Sequence, residues 1–322
     1  MSTTELERPR RLNRTLQRLP DSAALIVFLI IESIFFSIKS PYFLAWDNWL
    51  NILTAIAVIG IVAAPGTLLM TAGQFDLSVG STTAFTSVVL ANLALSHSMG
   101  FSVVVAVIAA LGVGVINGFL VTVVGVNALI TTLGTLAAFR GLSNVVAKGQ
   151  TVGVDGFSFL GTDRPFANIP VPVLVLFAVL IVVWALMRYT VYGRAMYAIG
   201  SNPAAARLVG VRLGRFIFVG FILSAAACAL SGLVLSSQLS VGSGLFGVGM
   251  ELSVITAIVL GGASLGGGRG SIVGTAVGLL IIGILNNGLT LTGVDPFWQD
   301  VARGALLIGA VSFDRLRARL TF

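Results

Sequence analysis

Residues 171–187, VPVLVLFAVLIVVWALM, lead into RYTVYGRAMYAIGSNPAAARLVGVRLGR over 188–215, and then into FIFVGFILSAAACALSGLVLS over 216–236. The two outer blocks carry no charge and approach the roughly 20 apolar residues that cross a bilayer. The middle block holds Arg188, Arg194, Arg207, Arg212 and Arg215 and no acid. Within it lies a short helix signal: Ser201 or Asn202 as N-cap, Pro203 at the first helical position, Ala204, Ala205 and Ala206, and Gly210 as a stop. The stretch reads as span, basic loop, span. An ordinary positive-inside loop explains the arginines but not the capped helix, which is suited to docking a cytoplasmic partner.

Composition extends this reading to the whole chain. With 57% hydrophobic and 10% charged residues and a mean hydropathy of +1.02, the apolar runs are too long and too many for a globular core. An isoelectric point near 10.5 invites a nucleic-acid reading. However, the basic residues stand at the ends of apolar segments, not on a face interleaved with aromatics, so no nucleic-acid partner is expected. Cys228 is the single cysteine and His97 the single histidine. Disulfides within the chain are thereby excluded, and no metal site or other cofactor is expected.

The first apolar segment, Ala23–Ile38, follows Arg8, Arg10, Arg11, Arg14 and Arg18. Its basic start resembles a signal peptide, but Glu32 interrupts it and no cleavage site follows, so it reads as an uncleaved span. Further spans are expected at Leu50–Ala72, Val79–Leu95, Phe101–Val124, Ala128–Ala147, Pro170–Met187, Phe216–Ser236, Leu252–Leu265, Ile272–Leu291 and Val301–Phe313. The eighth is short enough to be broken or re-entrant. The expected fold is an all-α polytopic membrane protein of about ten transmembrane helices. Its domains are a basic arm (1–22), a spanning domain (23–313) with a cytoplasmic loop at 188–215, and a basic tail (314–322). With both termini inside, 14 of the 19 Lys and Arg fall on the inner side, as the positive-inside rule asks. Tyr42, Phe43, Trp46 and Trp49 then form an outer aromatic belt.

A repeat runs beneath this pattern. Asp76-Leu77-Ser78-Val79 returns as Glu251-Leu252-Ser253-Val254, Asn117-Gly118 as Asn287-Gly288, Gly125-Val126-Asn127 as Gly293-Val294-Asp295, and Arg140-Gly141 as Arg303-Gly304. The offsets are 175, 170, 168 and 163 residues, in the same order. An odd number of spans, five, separates the copies, so they enter the membrane from opposite sides. That is a 5+5 inverted repeat, a common way to build a path near the midplane. The plain alternative is that Gly-rich membrane helices resemble one another.

The chain has 38 glycines, as close helix packing requires. Gly112-x-Gly114 and Gly274-x-x-x-Gly278 read as packing contacts. The run Gly261–Ser271 looks like a phosphate loop but lacks the Gly-Lys-[Ser/Thr] ending and a preceding strand, so it is not expected to bind nucleotide. Asp76, Glu251, Arg140 and Arg303 lie at or near membrane depth, where a charge costs about 2.5 kcal/mol or more at the centre. They read as gate or repeat-junction residues, or, for Asp76 and Glu251, as helix N-caps. Gln74, Asn117, Asn286 and Asn287 suit sugar hydroxyls, or equally hydrogen bonds between helices.

Four stretches carry a family likeness: Gly73-Gln74-Phe75-Asp76-Leu77-Ser78-Val79-Gly80-Ser81, Gly193-Arg194 through Gly210, Glu251 through Gly274, and Leu285-Asn286-Asn287-Gly288-Leu289. In these the chain resembles the permeases of bacterial ATP-binding-cassette (ABC) importers for ribose and other monosaccharides. Gln74-Phe75 departs from the Gly-Ile common before the Asp in sugar permeases, which leaves the substrate less defined than the family. The resemblance implies a plasma-membrane complex of two permease copies, two cytoplasmic ATPase subunits and an outer solute-binding protein. It also implies that Ala204–Gly210 is the coupling helix, in a loop containing Gly193, Arg194, Ser201, Asn202, Pro203, Ala205 and Arg207.

The leading expectation is a permease for a monosaccharide, polyol or similar small hydroxylated solute, with no enzymatic activity of its own. Its path is expected between two permease copies, lined by polar residues of the third, fourth, eighth and ninth spans, with Gln74, Asp76, Asn117, Glu251, Asn286 and Asn287 as candidates. One alternative is the related branched-chain amino acid permease group. Another is a self-sufficient ion-coupled transporter, for which only Asp76, Glu251 and Glu32 offer membrane carboxylates. A membrane enzyme lacks any visible nucleophile–base pair or metal cluster.

Overall fold

A computed structural model describes residues 21–320, and these are mostly helical. The arginines of the N-terminal arm lie outside the described residues. Helix α1 (Asp21–Lys39) turns through Ser40–Ala45 into α2 (Trp46–Thr71), after which the backbone is unwound as far as Ser78. Then come α3 (Val79–Ala94), α4 (Met99–Phe119) ending in a π-helical turn at Leu120–Val124, and α5 (Ala128–Val146). A two-residue strand β1 (Val152–Gly153) and a short α6 (Phe159–Thr162) lead to α7 (Val171–Tyr189). The second half runs through α8 (Val191–Ser201), α9 (Pro203–Leu208), α10 (Leu213–Leu239), β2 (Val241–Gly242), α11 (Met250–Leu260), α12 (Ile272–Leu291) and α13 (Pro296–Leu320).

Six of these are long and apolar enough to cross a membrane: α2, α4 with its π turn, α5, α7, α10 and α12. The apolar α3 and α11 have only 16 and 11 residues. At 1.5 Å per residue they reach about 24 and 17 Å, short of a hydrocarbon core about 30 Å thick. The eighth expected span is therefore a half-length helix that stops at Leu260, with the Gly-rich turn following. The last expected span is part of one helix continuing to Leu320.

The core sits where α10 packs on α2, α3 and α4, and where α2 also meets α7, α11 and α12. Small residues permit this closeness. Gly114 of α4 lies against Phe221 and Ala225 of α10, and Gly274 and Gly278 of α12 lie against Gly261 and Ala257. Gly112, by contrast, faces open space. Many buried hydroxyls are bonded within their own helix or across to the next: Thr67 Oγ1 donates to the Ala63 carbonyl (2.8 Å), and Ser231 Oγ of α10 donates to Val58 O of α2 (3.0 Å). Away from water these groups must find partners inside the protein.

The bundle has two distinct ends. One, the basic end, holds α8, α9, the end of α2, the π turn and the Gly261–Ser271 loop. At the other, β1 pairs antiparallel with β2 (Val152 opposite Gly242, Gly153 opposite Val241), close to α6 and the start of α2.

Candidate functional site

The break between α2 and α3 organises the polar interior. Gly73 takes φ 72° and ends the helix. Asp76 is then held by three donors: Ser78 N (3.0 Å) and Ser78 Oγ (2.6 Å) on Oδ1, and Ser224 Oγ from α10 (2.7 Å) on Oδ2. Asn117 Nδ2 donates to Ser78 Oγ (2.9 Å), and Asn117 Oδ1 accepts from Thr135 Oγ1 (2.8 Å). The sequence candidates Asp76 and Asn117 thus belong to one buried network joining the break, α4, α5 and α10. Ser78 stood in the repeated motif, but Thr135 and Ser224 were not singled out from sequence, because Ser and Thr are common in apolar helices and give no periodic signal.

The second motif copy, at Glu251, meets the first. The chain from Gly242 to Gly247 runs back along α3 from Ala91 to Gly80, and Glu251 then lies against Gly80. The helix N-cap residues are Ser78 and Gly249, so neither acid is the N-cap itself. Asp76 instead accepts the backbone N–H of Ser78, while Glu251 sits in the first turn of α11 with Oε2 buried and unbonded among the described residues. Arg140 of α5 lies within electrostatic reach of Glu251. Its Nη1 donates to Gly244 O (2.6 Å) and Phe246 O (2.5 Å), clamping the segment that runs along α3.

At the basic end the capped helix is present. Asn202 is its N-cap, with Oδ1 accepting from Ala205 N (3.0 Å), so of the two candidate caps it is Asn202, not Ser201, that serves. The helix closes by a Schellman pairing, with Val211 N–H on Ala206 O and Gly210 N–H on Arg207 O, and Gly210 takes φ 84°. Ahead of it stands α8, which sequence reading left within the loop. Thr190 Oγ1 caps α8 by accepting from Gly193 N (3.2 Å), while Gly193, Met196 and Ile199 face inward. Arg194 is exposed.

Three backbones converge beside α8. Gly267 packs on both Gly73 and Gly200, Gly268 N–H donates to Thr71 O (2.8 Å), and Tyr197 Oη donates to Gly270 O (2.6 Å). The Gly-rich loop that mimics a phosphate loop is thus a close-contact joint between α8 and the break after α2. Tyr192 Oη likewise donates to Phe216 O (2.8 Å). Burial pushes both phenols up, so they remain neutral donors. A cavity of about 580 Å³ opens here, with Gln74, Phe75, Asn127, Pro203, Arg207 and Leu213 in its wall.

The remaining candidates lie elsewhere. Asn287 exchanges hydrogen bonds with Asn48 (Nδ2 to Oδ1, 2.9 and 3.0 Å), tying α12 to the start of α2 at the far end. Neighbouring Asn286 leaves Oδ1 buried and unbonded among the described residues.

Comparison with known proteins points to transport permeases throughout. A family described as the permease component of branched-chain amino acid transport systems matches residues 48–311. The ribose import permease protein of Bacillus subtilis (strain 168) is 36% identical over 99% of this chain and all of its own length. The L-arabinose transport system permease protein of Escherichia coli (strain K12) is 36% identical, covering 94% of this chain and 93% of its own. The ribose import permease protein of the same strain is 36% identical over 92% and 94%.

Proposed function

The chain belongs to this family of ABC importer permeases, and from that premise we propose that it carries a monosaccharide or similar small hydroxylated solute across the bacterial inner membrane. It is a transport component, not an enzyme. The observation that carries the solute class is the end-to-end similarity to ribose and arabinose permeases. The family description keeps branched-chain amino acids as the second reading. ATP hydrolysis then falls to cytoplasmic ATPase subunits, delivery to an extracytoplasmic binding protein, and the path to the interface with a second permease copy.

The finer arrangement follows the same reading. About ten crossings are counted as α1, α2, the short α3, α4, α5, α7, α10, the half-length α11, α12 and α13, with both termini cytoplasmic. The inverted repeat is supported by α3 and α11, which both follow unwound backbone and meet near Gly80 and Gly247. The β1–β2 pairing agrees, because it sets residues 152–153 and 241–242 on one side with two crossings, α7 and α10, between them. We assign α9 as the coupling helix and the cavity between Gln74 and Arg207 as the cytoplasmic mouth of the path.

The test is reconstitution in proteoliposomes with the ATPase and binding protein that co-purify with the chain. ATP-dependent uptake of ribose or arabinose, with none of leucine, is the expected result. Uptake of leucine alone would establish the amino-acid reading, and uptake driven by an ion gradient without the ATPase would establish a secondary transporter.

A further inference from the structure

A second cavity, of about 330 Å³, sits on the flank of the basic end, lined by Tyr192, Gly210, Arg212, Arg215, Phe216 and Val219. Its volume is at the lower end of small-ligand sites, about 300–1,000 Å³. The two guanidiniums have no carboxylate within ion-pair distance among the described residues. Arg212 is also the N-cap residue of the 27-residue α10 and makes no side-chain cap, so the positive end of that helix adds to the same field.

The other wall is apolar. The Tyr192 and Phe216 rings lie 5.6 Å apart, and Val219, one turn further along α10, is exposed. The cavity thus runs from two exposed guanidiniums onto the outward surface of a membrane helix. Nearby, Trp184 and Tyr189 at the end of α7 are exposed and packed edge to face at 5.4 Å. Such a pair marks the depth of lipid headgroups.

We propose that this cavity is a binding site for an anionic phospholipid of the cytoplasmic leaflet, its phosphate held by Arg212 and Arg215 and its acyl chain lying along Phe216 and Val219. Basic pockets between membrane helices on the cytoplasmic side suit such headgroups. The site rests on the chain's place in the membrane and not on which solute it carries. It flanks the joint between α8 and α10, so lipid held there braces the base of the coupling region.

The experiment compares the full-length chain with the Arg212→Gln/Arg215→Gln double variant and with Arg164→Gln, a control at the opposite end. Each is purified in nanodiscs of phosphatidylcholine, titrated with phosphatidylglycerol, and read by native mass spectrometry. The wild type and the control are expected to retain phosphatidylglycerol at least fivefold more strongly than the double variant, and Arg212→Lys/Arg215→Lys is expected to restore part of it. All variants are expected to melt alike in pure phosphatidylcholine, which separates lost binding from lost folding. Equal retention by the double variant overturns the proposal. Displacement of the lipid by millimolar inorganic phosphate would make this a site for a free anion. Loss of the ATPase with lipid retention unchanged would give the surface to that partner. Either of these results also overturns the proposal.

Discussion

Asn117 and Asn287 occupy matching repeat positions yet do different work. Asn117 closes a chain of hydrogen bonds from Asp76 through Ser78 to Thr135, whereas Asn287 is spent on Asn48. Asn117→Ala removes two buried hydrogen bonds, but Ser78 Oγ keeps Asp76 and Thr135 Oγ1 keeps the Thr131 carbonyl (3.2 Å), so it is expected to cost about 1 kcal/mol, read as a lower melting temperature in detergent. Asn287→Ala removes an interhelical pair worth about 0.6 kcal/mol on average, so transport should slow modestly with solute preference unchanged. A tenfold switch in preference, about 1.4 kcal/mol, would give Asn287 a selective role. Gln74 makes no side-chain hydrogen bond among the described residues and lines the larger cavity. Gln74→Ala is therefore expected to alter transport and leave melting unchanged, the reverse of Asn117→Ala. Residue types were legible in the sequence here, but partners were not. An amide in an apolar helix looks the same whether it faces a solute path or another amide 239 positions away.

Among the elements, the helix pair α8 and α9 carries the clearest mechanical expectation. Gly210 must hold φ 84°, which proline cannot adopt. Gly210→Pro, and separately Arg207→Glu, should abolish transport while the chain still inserts and assembles; normal transport with ATPase bound would refute the coupling role of α9. Tyr197→Phe removes a single donor to Gly270, at the joint between α8 and the break after α2. It is expected to keep ATPase activity but lower the solute carried per ATP, a ratio that a merely destabilised protein would not change. The cap and stop of α9 were readable because Asn-Pro and Gly have strong backbone preferences. Helix α8 was missed because its inward residues, Gly193, Met196 and Ile199, repeat every third position over barely three turns. Between two long apolar runs and among arginines, that signal reads as loop. The Gly261–Ser271 run joins α8 to the break after α2 through backbones remote in sequence, a role that could not be read locally.

For the molecule as a whole, the long apolar spans and the basic asymmetry were plain in composition, because twenty consecutive apolar residues have few other uses. The shortness of α3 and α11 was harder to see. The apolar run beyond Leu260 continues through Ala263 and Leu265, and only the glycines between them end the helix. In a Cys228→Ser background, cysteines placed beside Asp76 and beside Glu251 are expected to react with impermeant reagents from opposite faces of the membrane. Reaction of both from one face would remove the inverted repeat.

The short β1–β2 ribbon fastens the connection after α5 to the chain just beyond α10. A fastening at one extremity turns any relative tilt of the segments it joins into a lever. Helix α10, with 27 residues, is about 40 Å long at 1.5 Å per residue, so a tilt of about 5° about the ribbon sweeps its far extremity by about 3.5 Å. That is the width of a water molecule or a hydroxyl group, gained where Leu213 and Gly214 border the larger cavity. Small rotations would thus be silent at the ribbon and largest at the mouth.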